Sequence, residues 1–282
     1  MKKYIGALVG AALMTLGSTY FKSTSSMPRI KFDLGENIVE TASKSGIPKF
    51  SARNINGFIS YSVDAIPPTI PATYVRRGYE IVWQPIFSFT MYADEGRDVH
   101  RRVETVSLQL DKNFETDAQA QEFVESTIAQ FQKGKWERYY DPAWDTLLTG
   151  RSSLLDENNS ISSYSTTIDP DHKISPEDWV ALAKAGAFWR WVGDGVLAML
   201  SVKRDEEGDG RTLDYSIDLD FDLLDVKLAR DAENEAVRRQ EGDAKGWNST
   251  AEHEATKKKQ LAVLRILEAN ALKRGDRVLT PH

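Results

Sequence analysis

The segment that most constrains the fold is Leu213–Leu223, where apolar and polar residues alternate without interruption. Successive side chains of an extended strand point to opposite faces, so this spacing predicts a strand rather than a helix. One face would carry only apolar side chains and the other mostly carboxylates. The apolar face holds Leu213, Tyr215, Ile217, Leu219, Phe221 and Leu223, and the opposite face holds Asp214, Ser216, Asp218, Asp220 and Asp222.

The acidic face of this strand needs a source of positive charge. Side chains two residues apart lie roughly 7 Å from each other, so stacked aspartates repel unless a cation or basic groups neutralise them. One interpretation is a solvated outer face with local arginine or lysine partners. The other is a site for a cation or for the basic surface of another protein, with Asp214, Asp218, Asp220 and Asp222 as the candidate partner-binding residues.

Calcium-type ligands also occur in the preceding turn, residues 205–210, which is rich in Asp, Glu and Gly. Strand periodicity on both sides explains this turn as the solvated tip of a hairpin. The strand itself lacks the glycine and the terminal glutamate of an EF-hand loop. We therefore assign no metal ligands in either segment, and cation binding by the acidic face of the strand stays an open alternative.

The remaining strands follow from alternation and from turn residues. The Asp94-Glu95-Gly96 turn predicts a hairpin between two of them, and Pro85 would interrupt one long strand. Strands are predicted over residues 58–64, 79–92, 103–110, 188–192, 196–202 and 212–226.

The helices follow from capping signals. Thr116 and Gln119 have capping-box spacing, and Ser175 followed by Pro176 is a typical helix start. Ser249 and Glu252 repeat the capping-box spacing before the last apolar stripe. Helices are predicted from 116 to Gly134, from 175 to Gly186, over 229–240 and over 250–273 with Gly275 as the stop.

The order of these elements predicts the α+β class. Strands are grouped and do not alternate regularly with helices, which favours mainly antiparallel sheets with packed helices and a helical C-terminus. Lys2 and Lys3 precede an uncharged run, typical of an export segment. The predicted divisions are 1–21, a signal peptide or N-terminal membrane anchor; 22–32, a polar tether; 33–150, an α+β region; 151–228, a helix with antiparallel strands; and 229–282, the C-terminal helices.

Composition removes several function classes. The 282 residues contain no cysteine, which excludes disulfides, thiolate nucleophiles, cysteine metal sites and a lipidated cysteine. The 42 acidic against 36 basic residues give a net charge of −6, which argues against a nonspecific nucleic-acid binder. We expect no nucleic-acid partner and no cofactor.

Catalytic motifs are also absent from the sequence. No nucleophile elbow, zinc-protease, phosphate-loop or dinucleotide motif occurs. A histidine base would have to be His100 or His172, and the Asp169-Pro170-Asp171-His172 stretch has the composition of an ordinary turn. We therefore expect a protein that is not an enzyme, although a carboxylate-pair glycosidase stays open because spacing across a fold is invisible in sequence.

Seven tryptophans form the last unusual feature. Trp and Tyr dominate the energetics of protein interfaces, which makes Trp189 and Trp191 candidate partner-binding residues. The alternative is that these indoles fill a core that has no disulfides.

The layout as a whole resembles the immunity proteins that protect Gram-negative bacteria from antibacterial type VI secretion effectors. The resemblance rests on the Lys2-Lys3 export segment, the α+β order and the acidic strand through Asp218, Asp220 and Asp222. It implies a non-enzymatic periplasmic protein that binds and occludes a secreted toxin, either soluble or tethered to the inner membrane by an uncleaved N-terminal segment. It transfers no site residues.

Two other functions fit the same residues. One is a periplasmic hydrolase or carbohydrate-binding protein that uses carboxylates and tryptophan. The other is a structural component of an envelope assembly, suggested by the tether and the terminal helices.

Overall fold

An antiparallel sheet of nine strands organises the chain. The computed structural model describes residues 29–110, 113–141, 146–162, 167–205 and 213–280. The predicted export segment 1–21 and the first part of the tether lie outside the described residues. So does most of the acidic turn 205–210.

Five α-helices lie in the described part of the chain: α1 Ile38–Lys44, α2 Asp117–Lys133, α3 Pro176–Ala185, α4 Leu224–Ala244 and α5 Ser249–Arg274. The first strands are β1 Ile30–Phe32, β2 Ser51–Ile55, β3 Phe58–Val63, β4 Ala72–Tyr74, β5 Ile81–Trp83, β6 Ser88–Asp94 and β7 Thr105–Gln109. The others are β8 Asn113–Phe114, β9 Glu137–Arg138, β10 Leu147–Leu148, β11 Ala187–Gly193, β12 Val196–Asp205, β13 Leu213–Leu223 and β14 Val278–Leu279.

The strand order confirms the α+β prediction with mainly antiparallel sheets and a helical C-terminus. The large sheet runs β2-β3-β6-β7-β13-β12-β11-β9, and β8 pairs with the free stretch of β13. β7 and β13 are antiparallel neighbours, with Val106 opposite Phe221. Strands of the predicted regions 33–150 and 151–228 therefore lie in the same sheet.

The helix signals of the sequence are confirmed at α2 and α3. The Thr116 hydroxyl accepts the backbone N–H of Gln119 at 3.2 Å, and the Gln119 side chain accepts the N–H of Thr116 at 3.3 Å. Ser175 accepts the N–H of Asp178 at 3.1 Å. Each hydroxyl satisfies a backbone donor that the first turn of a helix leaves unpaired.

Three boundaries differ from the prediction. The run 79–92 is two strands in different sheets, because β5 pairs with β4 whereas β6 pairs with β3 and β7. The tether ends earlier than residue 32, since Ile30 and Phe32 are buried in the core and β1 pairs with β4. α4 begins at Leu224, directly after β13, so the predicted strand 212–226 ends three residues early, where the adjacent pair Leu223-Leu224 breaks the alternation.

The last helix caps one residue earlier than the capping-box spacing predicts. The side chain of Asn248, not Ser249, accepts the N–H of Ala251 at 3.0 Å. The C-terminal half of α5 then packs through Leu267 and Ala271 against Leu148, with Val263 and Val278 beside them. By contrast α4 is largely exposed along its length.

The inner face of the sheet holds the core. Phe221 of β13 is fully buried, stacks on Tyr74 at 4.8 Å between ring centroids and meets Phe32 edge-on at 5.4 Å. β1, β4 and α2 thus cover the apolar face of the central strands. Trp83 on β5 donates its indole N–H to Thr127 of α2 at 3.0 Å, which fixes the smaller sheet against the helix.

Truncation of this central ring tests the packing. Phe221→Ala is expected to lower the free energy of unfolding by about 3–5 kcal/mol, because it leaves a cavity between two layers. Urea unfolding of the variant measures the loss. Phe58→Ala is the matched control, since Phe58 is 43% exposed on the other side of the sheet and its loss is expected at about 1 kcal/mol or less. Equal losses would contradict this account of the core.

Candidate functional site

The carboxylates of β13 lie on the face of the sheet that points away from the core. Tyr215, Ile217, Leu219 and Phe221 are each at most 1% exposed, whereas the alternate positions are partly exposed. We call the solvated side of the nine-stranded sheet the outer face. The three carboxylates at its centre form the acidic row, which is Asp218, Asp220 and Asp222.

Small hydroxyl side chains border the acidic row. Thr105 Oγ1 donates to Asp222 Oδ1 at 2.6 Å, and Ser216 Oγ donates to Asp218 Oδ2 at 3.1 Å. β7 therefore places a hydroxyl donor beside Asp222, and β13 itself places one beside Asp218. On the β7 side the row pairs with Gln109, Ser107 and Thr105, and on the β12 side with Ser201, Met199 and Leu197.

The two ends of the acidic row differ in charge balance. Burial raises the pKa of Asp222, while the bond from Thr105 and the positive charges of Lys227 and Arg230 on α4 act in the opposite direction. Arg230 also forms a 2.8 Å ion pair with Glu104, whose side chain is 2% exposed. The first turns of α4 thus place basic groups over one end of the row.

Asp220 has no such compensation. The pKa of its carboxyl is raised to about 6, chiefly by burial and also by the charges of Asp218 and Asp222, while the bond from Ser107 acts in the opposite direction. No lysine, arginine or histidine among the described residues acts on this carboxyl. Asp220 is therefore a half-buried acid at the centre of an open sheet, without a cation of its own.

Asp214 lies at the far end of β13, outside the acidic row. Its Oδ1 atom is buried and makes no hydrogen bond to another described residue. Asp214 pairs with Asp205 on β12, next to the turn that the structure does not describe. Asp214 is therefore not part of the acidic row.

The two candidate tryptophans are core residues. Trp189 and Trp191 are 1% and 2% exposed and lie on the inner face of β11. Trp191 stacks on Phe131 of α2, with 4.0 Å between the ring centroids. The expectation that they meet a partner is corrected: alternation along β11 turns both indoles inward, and they offer a partner no surface.

The remaining polar candidates are Asp169, which has a structural role, and His100, which lies on the surface. Asp169 is 7% exposed and accepts the backbone N–H of Gly150 at 2.7 Å, which is turn chemistry. His100 is exposed. Within the described ranges no group of three or more Asp, Glu or His side chains is arranged to hold a metal ion.

The outer face is large enough for a protein partner. From β2 to β11 it spans seven strands, or roughly 29 Å at the usual spacing between strands. With strands roughly 20 Å long this gives about 600 Å², the scale of one side of a standard protein–protein interface. One corner of this face is covered, where Leu197 and Tyr139 are buried and Tyr139 lies near Asp231 of α4.

Comparison with known proteins adds no relative: no family model matches the chain, nor does any curated protein or solved structure. None of the helices in the described ranges has the length and apolar character needed to cross a membrane.

Replacing Asp220 tests its unpaired state. A carboxyl whose pKa is raised from 3.8 to about 6 in the folded protein binds more protons folded than unfolded. Its contribution to stability is therefore present below pH 3.8 and is lost as the pH rises through 6. Asp220→Asn is expected to raise the free energy of unfolding at pH 7 by about 1–2 kcal/mol and to flatten its fall over this interval.

Urea unfolding at several pH values measures both effects. The control is Asp64→Asn, which alters an exposed carboxylate just after β3 and is expected to change stability by less than about 0.5 kcal/mol. A destabilised Asp220→Asn protein at pH 7 would show that Asp220 is neutralised in the native protein.

Proposed function

We propose that the chain is a non-enzymatic periplasmic binding protein, an immunity protein that neutralises a secreted antibacterial toxin by pressing its outer face against a basic surface. The observation that carries the proposal is Asp220, a half-buried carboxyl without a cation at the centre of an open sheet. A basic side chain from a partner would supply the missing charge.

The physical argument starts from stability. An ionised aspartate that is partly desolvated and lies between two other aspartates destabilises the free protein. Residues held at such a cost are concentrated at functional sites, because selection for stability alone would remove them. Asn or Ser at position 220 would keep the strand and its bond to Ser107 without the charge.

The molecule itself provides an example of the proposed contact. Lys227 and Arg230 of α4 act on Asp222 from above one end of the acidic row. An arginine or lysine of a partner over Asp220 and Asp218 would continue that arrangement along the strand. The hydroxyls of Ser107 and Ser216 would accept hydrogen bonds from a guanidinium group, which has five donors.

Three further features support an immunity protein over other binding proteins. The export-type residues 1–21 predict a periplasmic location, either soluble or tethered to the inner membrane. The acidic surface is the complement of a basic toxin face. A broad sheet face of this size suits occlusion of another protein's surface better than enclosure of a small molecule.

The test of this surface is a triple substitution of the acidic row. In complex with a toxin encoded beside its gene, the Asp218→Asn, Asp220→Asn, Asp222→Asn protein is expected to bind at least about 10-fold more weakly, with a smaller dependence on salt, because charge complementarity is screened. Isothermal titration calorimetry at two salt concentrations measures both quantities.

The control for this experiment changes carboxylates outside the outer face. Asp171→Asn with Glu122→Gln alters exposed acids near α2 and is expected to leave binding unchanged. Equal binding by the triple variant would remove the acidic row from the interface. Failure of the unmodified protein to protect cells from every toxin encoded beside its gene would overturn the immunity function itself.

The pH dependence of binding is a separate prediction. Asp220 gains a proton as the pH falls through about 6, and a neutral acid no longer attracts a basic group. Affinity is therefore expected to fall between pH 7 and pH 5 in the unmodified protein, and the fall should be smaller in Asp220→Asn. Titrations across this range check it, and identical pH profiles for the two proteins would contradict it.

A further inference from the structure

A second candidate site lies on the opposite side of the sheet from the acidic row. A half-open cavity of about 230 Å³ lies between α2, α3 and the segment 170–174. Its deeper wall is apolar and includes Ile128, Trp179 and Trp189, which are 7%, 1% and 1% exposed. We call it the α2–α3 cavity. Its lining includes residues of the Asp169–His172 turn and the buried indoles of Trp179 and Trp189, which have no part in the proposed function.

The opening of the α2–α3 cavity is held in place by two glutamines of α2. Gln132 Nε2 donates to the carbonyl of Pro170 and to Asp171 Oδ1, both at 2.9 Å. Gln121 Nε2 donates to the carbonyl of Ile174 at 2.9 Å. The segment is thus fastened at both ends, so a ligand would not have to order it first.

Polar groups with unused bonding capacity lie at the rim. Glu125 accepts a bond from Gln121 through Oε1 at 2.8 Å, and no other described residue bonds to its Oε2. His172 and Lys173 also line the cavity, and their side chains make no hydrogen bond to another described residue. The rim therefore offers a carboxylate acceptor, an imidazole and an ammonium group above an apolar interior.

We propose that the α2–α3 cavity binds one aromatic ring that carries a hydrogen-bonding substituent, as in a phenol or an indole. A dry cavity of about 150 Å³ is large enough for benzene, so the larger volume here has room for a substituted ring. Aromatic rings pack favourably against indoles in edge-to-face contacts. A hydroxyl or ring N–H at the rim would donate to the free oxygen of Glu125.

This chemistry has two sources, a free small molecule or the side chain of a tyrosine or tryptophan in another protein. The site is independent of the acidic row, because the two lie on opposite faces of the sheet. Loss of one proposal therefore leaves the other intact.

The experiment is a titration of the 15N-labelled 282-residue chain followed by NMR. The probes are 4-methylphenol and 3-methylindole, with toluene as the ring that lacks a donor. The indole N–H signals of Trp179 and Trp189 report on the cavity wall. Saturable shifts are expected with dissociation constants on the order of 1 mM for the phenol and the indole and about 5-fold weaker binding of toluene.

Matched variants on one helix locate the site. Glu125→Ala is expected to weaken 4-methylphenol binding by about 5-fold and to leave toluene binding unchanged. Glu122→Ala removes an exposed carboxylate of α2 outside the cavity lining and should have no effect. Ile128→Phe, which fills the cavity, should abolish binding of all three probes.

Specific outcomes decide the proposal. It is overturned if no probe gives saturable shifts at about 10 mM, or if toluene binds as well as the phenol to the unmodified chain. The same holds if the two glutamate variants bind the phenol alike. N-acetyl tyrosinamide then separates the two sources: binding comparable to that of 4-methylphenol assigns the site to a protein side chain, and binding of the free phenol alone assigns it to a small molecule.

Discussion

The pairing of β13 with β7 on one side and β12 on the other is the interaction on which the rest of the structure depends. It joins the strands of the first half of the chain to those of the second in a single sheet. Because side chains alternate along a strand, burying Leu219 and Phe221 forces Asp218, Asp220 and Asp222 onto the opposite face. The core and the acidic row are therefore two consequences of one strand register.

The same register sets the electrostatics of the outer face. β7 and β12 place hydroxyl, amide and apolar side chains directly opposite the acidic row. Lys227 and Arg230 of α4, which starts where β13 ends, act on Asp222. The Glu104–Arg230 ion pair directs α4 toward the Asp222 end. Asp220 is left with hydrogen bonding but without an opposite charge. The ionised Asp220 lowers the stability of the free protein and would strengthen binding to a basic partner. The stability of this fold and its proposed function therefore depend on the same charge.

Local signals in the sequence predicted much of this fold. Alternation predicted β13, because neighbouring residues set the two faces of a strand. Hydroxyl caps predicted α2 and α3, because the unpaired N–H groups of a first helical turn bond to a side chain close in sequence. The break of the 79–92 run into strands of two sheets depends on partners far along the chain. So does the inward orientation of Trp189, since an alternating strand does not reveal which of its faces will be covered.

The candidate site was predictable only in part. Its carboxylates occupy alternate positions of one strand, so the sequence pattern predicts that they share a face. Lys227, Arg230 and Glu104 carried no recognisable signal, because their relation to the row depends on where α4 leaves the sheet. The cavity beside Glu125 and His172 likewise combines residues about 50 positions apart in sequence, and such a separation contributes no local pattern.

The most direct test of the central claim is the pKa of the Asp220 carboxyl, measured by carbon-detected NMR titration of the free protein with its aspartate side chains labelled with 13C. An unneutralised, half-buried carboxyl should titrate near pH 6. A pKa at or below 3.8, the ordinary value for aspartate, would show that a cation or full solvation already stabilises the ionised Asp220. That result would contradict the proposal that the acidic row binds a basic partner.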